Sequence, residues 1–563
     1  VLDYIYPEEE QRFFTNREQP LALLGMSREL LAQGVRKHIV LSGFRRVGKT
    51  VILKEFLRRH LAQEQEGPVA AAYIDLPRLA FTPEAFSVQY AGSLLYWLGG
   101  DTEARIEPYF DPGYQLAAAG RYGAKALTDH LLTLQQELQK ERPDQHLLLE
   151  LALNLPEVWA QATGRRVMLL LDEFPALLAL NNYPQVHDVI ALFRAVLQAQ
   201  SRICYVVAGS VISLMERIFL SADSPLFVHF QLETVGPFGR EDSAELARKR
   251  LETLPGDVPP DVLAAVYQVT RGHPFYIYAT TMRVLEMATL LHRPVNPQTV
   301  QEAFVLETLG TAGRIYNLCR YLLEDSLSRA RGETMPQAVL QVLARESAGL
   351  SLTQLSRRLK RPTGAIRQVL NWLIDVDLVE QHEDKTYGFR DVVLQLWVAY
   401  YYSGLELTGM PRQKVLDQLV AELMEKYQRA TEELGLAKES QVRELLGQFA
   451  GQEVDGALLG TAGPVCLPTF DRVAPYRSAD GQVEVDALAE NGECWAVEIK
   501  WRGRLAGLQE VQKLVRVTRS LAARAWFISR AGFTPEAREY AQREGVMVST
   551  RKEIEALAGL VQP

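Results

Sequence analysis

Cysteine is scarce in this chain: four in 563 residues, Cys204, Cys319, Cys466 and Cys494, far apart and with no C-x-x-C spacing. That argues against a disulfide framework and against a cysteine zinc site. Long apolar runs are missing too. Although 47% of the residues are hydrophobic, no run approaches the ~18 residues needed to span a bilayer, so no membrane partner is expected. The opening Val1-Leu2-Asp3-Tyr4 has no basic segment leading into an apolar core, and no export signal is read there. These features point to the cytoplasm. A general excess of positive charge is also absent. The formal net charge of −8 argues against a chain coated for nucleic acid, although it averages over domains. At about 150 residues per domain the length suggests three or four domains.

What is present centres on Gly43-Phe44-Arg45-Arg46-Val47-Gly48-Lys49-Thr50, which has the phosphate-cradling spacing G-x-x-x-x-G-K-[ST]. His38-Ile39-Val40-Leu41-Ser42 before it reads as a short buried strand. Val51 to Leu61 after it reads as a helix with apolar Ile52, Leu53, Phe56 and Leu57. Strand, loop, helix is the order the chemistry needs: glycines let successive N–H groups turn inward on phosphates, and the helix start adds its positive dipole end. Lys49 then reaches the β/γ-phosphates of ATP, and the Thr50 hydroxyl ligates Mg²⁺. A glycine-rich turn opening a helix is the plainer alternative.

Val69 to Leu76 reads as a second strand, and a long helical stretch runs from Ala124 to Ala162 with a break near Arg142-Pro143. Arg166-Val167-Met168-Leu169-Leu170-Leu171-Asp172-Glu173 is an unbroken apolar run ending in two acids, the pattern of a parallel strand covered on both faces. At its carboxyl end Asp172 is placed to hold Mg²⁺ through water, and Glu173 to orient and deprotonate the attacking water. A helix N-cap is the alternative use of either acid. A fourth strand, Ile203 to Gly209, ends at Ser210, which is a candidate sensor of the γ-phosphate or equally an N-cap.

Asn16-Arg17-Glu18, the Gly43 to Thr50 loop, Leu171-Asp172-Glu173 and Ala208-Gly209-Ser210 together resemble the archaeal/bacterial ATPase family in the STAND branch of AAA+-like P-loop ATPases. The resemblance implies that Asn16 and Arg17 border the adenine. It also matches Gly272-His273-Pro274 to the Gly-x-Pro turn of a helical lid, with Pro274 approaching the base. Its expected nucleotide contacts are Asn16, Arg17, Gly43, Arg46, Gly48, Lys49, Thr50, Asp172, Ser210 and Pro274. One departure stands out: Ser224-Pro225-Leu226-Phe227 runs into Val228-His229, where relatives often carry arginine. No arginine finger is assigned, and hydrolysis is expected to be slow or partner-dependent. A homo-oligomer or another protein partner is compatible with that gap.

Arg240 to Thr308 reads as helical. Around Pro336 to Arg390, three helices precede a hairpin, Leu378 to Phe389, with an acidic tip at Glu383-Asp384, the order of a winged helix-turn-helix. Residues 345–372 set Arg345, Arg357, Arg358, Lys360, Arg361 and Arg367 against the single acid Glu346. Such a patch is the electrostatic footprint of DNA binding, with Arg357, Arg358, Arg361 and Arg367 as candidate contacts. Arg367 and Asn371 share a helix face at i, i+4. The alternative is a lid or interaction surface. Val392 to Tyr402, rich in aromatics, reads as core packing.

Near the end, a helix from Glu439 to Phe449 leads through glycines to two strands, Val483 to Ala489 and Glu493 to Trp501. Period two puts Trp495, Val497, Ile499 and Trp501 on one face of the second strand, and Glu498 and Lys500 on the other. A two-residue Asn-Gly turn would turn Asp486 away from them. A three-residue loop, Glu490-Asn491-Gly492, pairs Ala489 with Glu493 and sets Asp486 diagonal to Glu498; this loop is expected. Asp486 with Glu498-x-Lys500 resembles the PD-(D/E)XK nuclease family. That resemblance implies Mg²⁺ or Mn²⁺ on Asp486 and Glu498, a stabilising Lys500, and a further acid from the first helix, Glu444, with Glu439 as fallback. Gln512 and Lys513 are weaker candidates.

The expected fold is therefore α/β: a P-loop NTPase parallel sheet over 1–235, a helical lid over 236–308, a winged helix over 309–402, a connector over 403–435, and a restriction-endonuclease-like α/β domain over 436–563. The expected function is an ATP-hydrolysing DNA-processing protein whose nucleotide state controls a metal-dependent nuclease. The alternative is a STAND-type switch whose C-terminal domain only holds DNA or a partner.

Overall fold

In the computed structural model, five short apolar strands line up in parallel in the first of two units: β1 (His38–Ser42), β2 (Val69–Asp75), β3 (Arg166–Asp172), β4 (Ile203–Gly209) and β5 (Phe230–Thr234). Their spatial order is β2-β3-β4-β1-β5. β1 and β4 are buried along their whole length, and β3 at all but Arg166. Unbroken apolar sequence is what a sheet covered on both faces demands. Because all five strands run the same way, their carboxyl ends open on one edge. There β4, inserted between β1 and β3, brings Ser210 between the Gly43 to Thr50 loop and Asp172-Glu173. The helix Lys49–Gln63 begins directly at the loop.

The structure describes residues 5–63, 67–99, 105–328, 334–346, 349–382, 385–409, 411–433, 436–478, 484–501 and 505–561. The N-terminal segment 1–4, the acidic hairpin tip 383–384 and Val483 lie outside the described residues. The first unit comprises Val1–Val258 and Gly272–Tyr278, the second Pro259–Arg271 and Ala279–Pro563. Among the described residues no helix is long and apolar enough to cross a membrane.

In the second unit, the helix Thr334–Ala344, β6 (Leu350–Ser351), the helices Leu352–Leu359 and Thr363–Asp375, and the antiparallel pair β7 (Val379–Gln381) and β8 (Thr386–Phe389) follow one another, with sheet order β6-β8-β7. Ser351 closes a capping box with Gln354 at the start of Leu352–Leu359. Val392–Tyr401 is nearly all buried, as its aromatic composition indicates. Beyond a small pair, β9 (Glu453–Asp455) and β10 (Pro464–Cys466), comes a five-stranded mixed sheet: β11 (Arg472–Arg477), β12 (Glu484–Asn491), β13 (Glu493–Lys500), β14 (Arg524–Ser529) and β15 (Met547–Ser549), in that order. β11 to β13 are antiparallel, and β13 to β15 are parallel. Trp495, Val497, Ile499 and Trp501 join one apolar cluster, together with Val442, Leu445, Leu446 and Phe449 of the preceding helical segment. Ala496 faces the opposite cluster, built on Val511 and Leu514.

The hairpin register corrects the expected one. Ala489 pairs with Trp495 rather than Glu493, and the ladder runs on to Asn491 opposite Glu493. Only Gly492 is left at the tip, in the left-handed conformation (φ 67). The turn is tighter than a three-residue loop because glycine takes that backbone without a Cβ clash. The shift is two residues, so the faces are unchanged.

In the first unit Gly272 has φ +77, and a Cβ there would lie 1.9 Å from the carbonyl oxygen of Phe238. The Phe238 N–H donates to the Gly272 carbonyl at 2.9 Å, so the two segments are locked backbone to backbone. Gly272→Ala is expected to cost at least ~2 kcal/mol of stability, combining left-handed strain with the clash. Urea denaturation should show this as a lowered midpoint for the first transition.

Candidate active sites

At the carboxyl edge of the parallel sheet, Lys49 is buried and turns back over its own loop, donating to the carbonyls of Gly43 and Phe44 at 2.8 Å each. Thr50, the next residue, is half-buried on the first helical turn, and Gly48 has φ +106. Arg46, also left-handed, lays its guanidinium 4.3 Å from the centre of the Phe275 ring. Asp172 closes β3 and is buried. One carboxylate oxygen accepts from the Tyr73 hydroxyl at 3.0 Å, the other from the Glu173 N–H at 3.1 Å. Glu173 sits at φ +50, and one of its carboxylate oxygens accepts from both the N–H (3.2 Å) and the hydroxyl (3.0 Å) of Ser210. The structure thus brings the two acids and the serine into one bonded group, and Ser210 bonds Glu173 where an N-cap role was the alternative.

Arg17 donates to the Val47 carbonyl at 2.9 Å and lies 4.2 Å over the Phe238 ring. Burial pushes its guanidinium down to about 10. Asn16 is exposed, and its side chain accepts from the Glu18 N–H at 3.4 Å, so it serves the turn before the helix Glu18–Ala32. His273 bonds the Arg45 carbonyl at 3.2 Å, and Pro274 starts the helix Pro274–Leu291. Segment 16–17 and the Gly272 to Pro274 turn therefore both border the phosphate-type loop.

Sequence reasoning passed over Asp75 and Tyr73. Asp75 ends β2 directly beside Asp172 in the strand register, and Arg78 lies 3.0 Å from it. Burial first, and the like charge of Asp172 second, raise the Asp75 carboxyl above its usual range. The signal was an acid closing an apolar strand, as Asp172 does, but the adjacency of β2 and β3 is not local.

The second group lies on the β12–β13 hairpin. The β12–β13 ladder is paired as far as Ala487 opposite Val497, and a β-bulge against β11 falls between Val485 and Leu488, so Asp486 sits at the bulge. Asp486 accepts from the Ile499 N–H at 2.6 Å, and Lys500 lies 2.8 Å from Glu498. Burial, then repulsion from Glu498 and Glu439, holds the Asp486 carboxyl well above its ordinary value. The helix acid that joins this group is Glu439, raised in turn mainly by burial. Arg443, one turn further on, lies 3.8 Å from Glu439 and donates to the Asp486 carbonyl at 2.8 Å. Glu444, the first choice from sequence, lies about 140° round the helix from Glu439, with one carboxylate oxygen buried. Gln512 is half-buried and Lys513 exposed on the helix Leu508–Leu521.

Asp486, Glu498 and Glu439 crowd three carboxylates around Lys500 and Arg443, and their mutual repulsion is what a divalent cation offsets; the donor set fits Mg²⁺ or Mn²⁺. Among the described residues no group of three or more His, Cys, Asp or Glu side chains is placed to hold a metal ion, which leaves Asp486 and Glu498 as the pair to consider. Elsewhere in this unit, Arg357, Arg358, Arg361 and Arg367 are all exposed, with Arg358 paired to Glu346.

Residues 14–280 match the family described as an ATPase domain predominantly from Archaea, and residues 470–558 match a restriction endonuclease family. The chain joins an archaeal-type P-loop ATPase domain to a restriction-endonuclease-like domain. Among solved structures, it is similar to the Walker-type ATPase of Pyrococcus abyssi, at 16% identity over 69% of this chain and 96% of that one (TM-score 0.49). It is similar also to the Aeropyrum pernix ORC2 protein, at 14% identity over 73% and 93% (TM-score 0.41). The Thermotoga maritima RuvB Holliday junction branch migration motor matches at 14% identity over 71% and 97% (TM-score 0.31). A search of curated proteins found no match.

In the ATPase domain, Tyr73→Phe removes the hydroxyl that fixes the outer oxygen of Asp172. A buried hydrogen bond to a charged group contributes about 1.5–3 kcal/mol, so half-maximal ATP turnover should need roughly tenfold more Mg²⁺. A magnesium titration of the purified variant checks this.

Proposed function

We propose that the protein is an ATP-driven DNA-processing enzyme in which the nucleotide state of the ATPase domain governs cutting by the endonuclease-like domain. One observation supports the cutting half: the Asp486 carboxylate accepts from the Ile499 N–H, Lys500 pairs with Glu498, and Glu498 and Glu439 both repel Asp486. Asp486 and Glu498 hold the divalent ion. Such an ion polarises the phosphodiester and supplies hydroxide near neutral pH. Lys500, oriented by Glu498, donates to the phosphate as charge builds, and Glu439 completes the acidic rim.

In the ATPase domain, Lys49 leaves its loop carbonyls for the β/γ-phosphates, and Thr50 with Asp172 serves Mg²⁺. Arg17 and Pro274 border the base, with Asn16 at the outer edge. Glu173 activates water only after letting go of Ser210, which then reads the γ-phosphate. In this reading the segment from Thr334–Ala344 to β8 acts as a winged helix-turn-helix, and exposed Arg357, Arg361 and Arg367 take DNA phosphates. The working partition is 1–235, 236–308, 309–402, 403–435 and 436–563, in the cytoplasm.

Lys49→Ala should abolish ATP binding in equilibrium dialysis. Glu173→Gln should bind ATP normally and turn it over at least ~100-fold more slowly, the usual worth of a general base. Normal turnover by Glu173→Gln would remove its role as base. For the endonuclease-like domain, plasmid nicking in MnCl₂ should fall ~100-fold or more in Glu498→Ala and Lys500→Ala. Equal cutting by parent and both variants would leave the domain as a holder of DNA or of a partner.

A further inference from the structure

We infer that a recess beyond the carboxyl ends of β14 and β15 is a nucleotide subsite of the endonuclease-like domain, seating one unit of a DNA strand next to the bond that Asp486, Glu498 and Lys500 address. The inference rests on the endonuclease reading for its substrate. The recess has a volume of about 450 Å³ and is walled by Leu505, Gly532, Phe533, Pro535, Arg538 and Thr550.

Its position follows from the sheet. β13, β14 and β15 run parallel, with Lys500 in register with Ser529 and Ile528 with Ser549. The loops that wall the recess therefore leave the sheet at the same edge as Lys500, and the Arg530 N–H donates to the Lys500 carbonyl at 3.0 Å. Neighbouring strands are roughly 4.8 Å apart, so the recess lies about 5–10 Å to the side of Lys500. At a rise of about 3.4 Å per nucleotide, that is a displacement of one to three nucleotides.

Main-chain hydrogen bonds shape the recess. The Gly532 carbonyl accepts from the Ala506 N–H at 2.9 Å and from the Ser529 hydroxyl at 2.7 Å, and the Thr534 N–H donates to the Ala506 carbonyl at 3.0 Å. These bonds pin Ala506 to the loop after β14. A Cβ on Gly532 would reach to 3.7 Å from Leu505 and 3.9 Å from Thr550, occupying the space between them.

The lining suits a nucleotide. Leu505, 48% exposed, with Phe533 and Pro535 offers an apolar wall to a base and sugar. Arg538 is exposed on the first turn of the helix Pro535–Glu544, whose N-terminus opens at the same place, and both favour a phosphate. Acids stand there too: Glu536 lies in the first turn of the same helix, and Glu553 is held by the N–H and hydroxyl of Thr550, with the Arg538 charge adding to what keeps its carboxyl low. Base stacking and phosphate neutralisation are the two terms such a subsite contributes to strand binding.

The test uses the full chain carrying Glu498→Ala to prevent cutting, with a fluorescein-labelled DNA duplex, MnCl₂ and a series of KCl concentrations. Adding Arg538→Ala should weaken binding about five- to tenfold and flatten the plot of log Kd against log salt by about one phosphate contact, whereas Arg538→Lys keeps the slope. Leu505→Asp should weaken binding as well. Unchanged near-ultraviolet circular dichroism in each variant, to which the buried Trp495 and Trp526 contribute, shows that the endonuclease-like domain is folded. Equal affinity and slope in Arg538→Ala and Leu505→Asp would overturn the subsite. An RNA duplex bound as tightly, with the same Arg538 dependence, would overturn DNA as its occupant. If the parent chain cuts nothing and the Arg538 dependence persists, the endonuclease reading fails while the subsite stands; if the parent cuts and the dependence is missing, the subsite alone fails.

Discussion

Carboxylates forced close together beside buried strands are the constraint on which both sites depend. Asp75 meets Asp172 where β2 and β3 end, and Asp486 meets Glu498 across the hairpin. In each pair burial and like charge raise one carboxyl, and a few fixed donors offset the repulsion: the Tyr73 hydroxyl and Arg78 in one, the Ile499 N–H and Lys500 in the other. A carboxyl raised in the folded state contributes its stability below the ordinary carboxylate range and loses it as pH rises through the folded value. At neutral pH both sites therefore carry an electrostatic cost that a bound cation would relieve, and such binding would couple to the stability of each domain.

The two domains reach this arrangement by different geometry. In the parallel sheet every strand points the same way, so residues that close neighbouring strands gather at one edge without any of them bending. Asp75, Asp172 and Ser210 arrive together for that reason alone. In the endonuclease-like domain the partners are antiparallel, so the acids meet along the strands, with Asp486 at the β-bulge between Val485 and Leu488. Glu439 reaches the group from outside the sheet, and its helix is held by Val442, Leu445 and Leu446 in the apolar cluster on the opposite face.

The parts legible in the amino-acid order were those governed by local spacing. The Gly43 to Thr50 loop, the apolar run into Asp172-Glu173 and the alternation from Trp495 to Trp501 each state their geometry within eight or nine residues. What was not legible depended on distant packing. The neighbour of β3 is chosen by the whole sheet, so Asp75 passed unnoticed. The rotation of the helix Leu436–Gly447 is fixed by which residues dock, and this decided between Glu439 and Glu444. The register of the hairpin turned on a single backbone choice at Gly492, which a preference for longer loops obscured.

That last feature bears on how such a hairpin can change. Because side chains alternate along a strand, a change of two residues in the bend preserves the facing of the regular ladder from Ala487 to Asn491, while a change of one exchanges it. The bend and the β-bulge between Val485 and Leu488 together, rather than the bend alone, therefore set where Asp486 falls against Glu498.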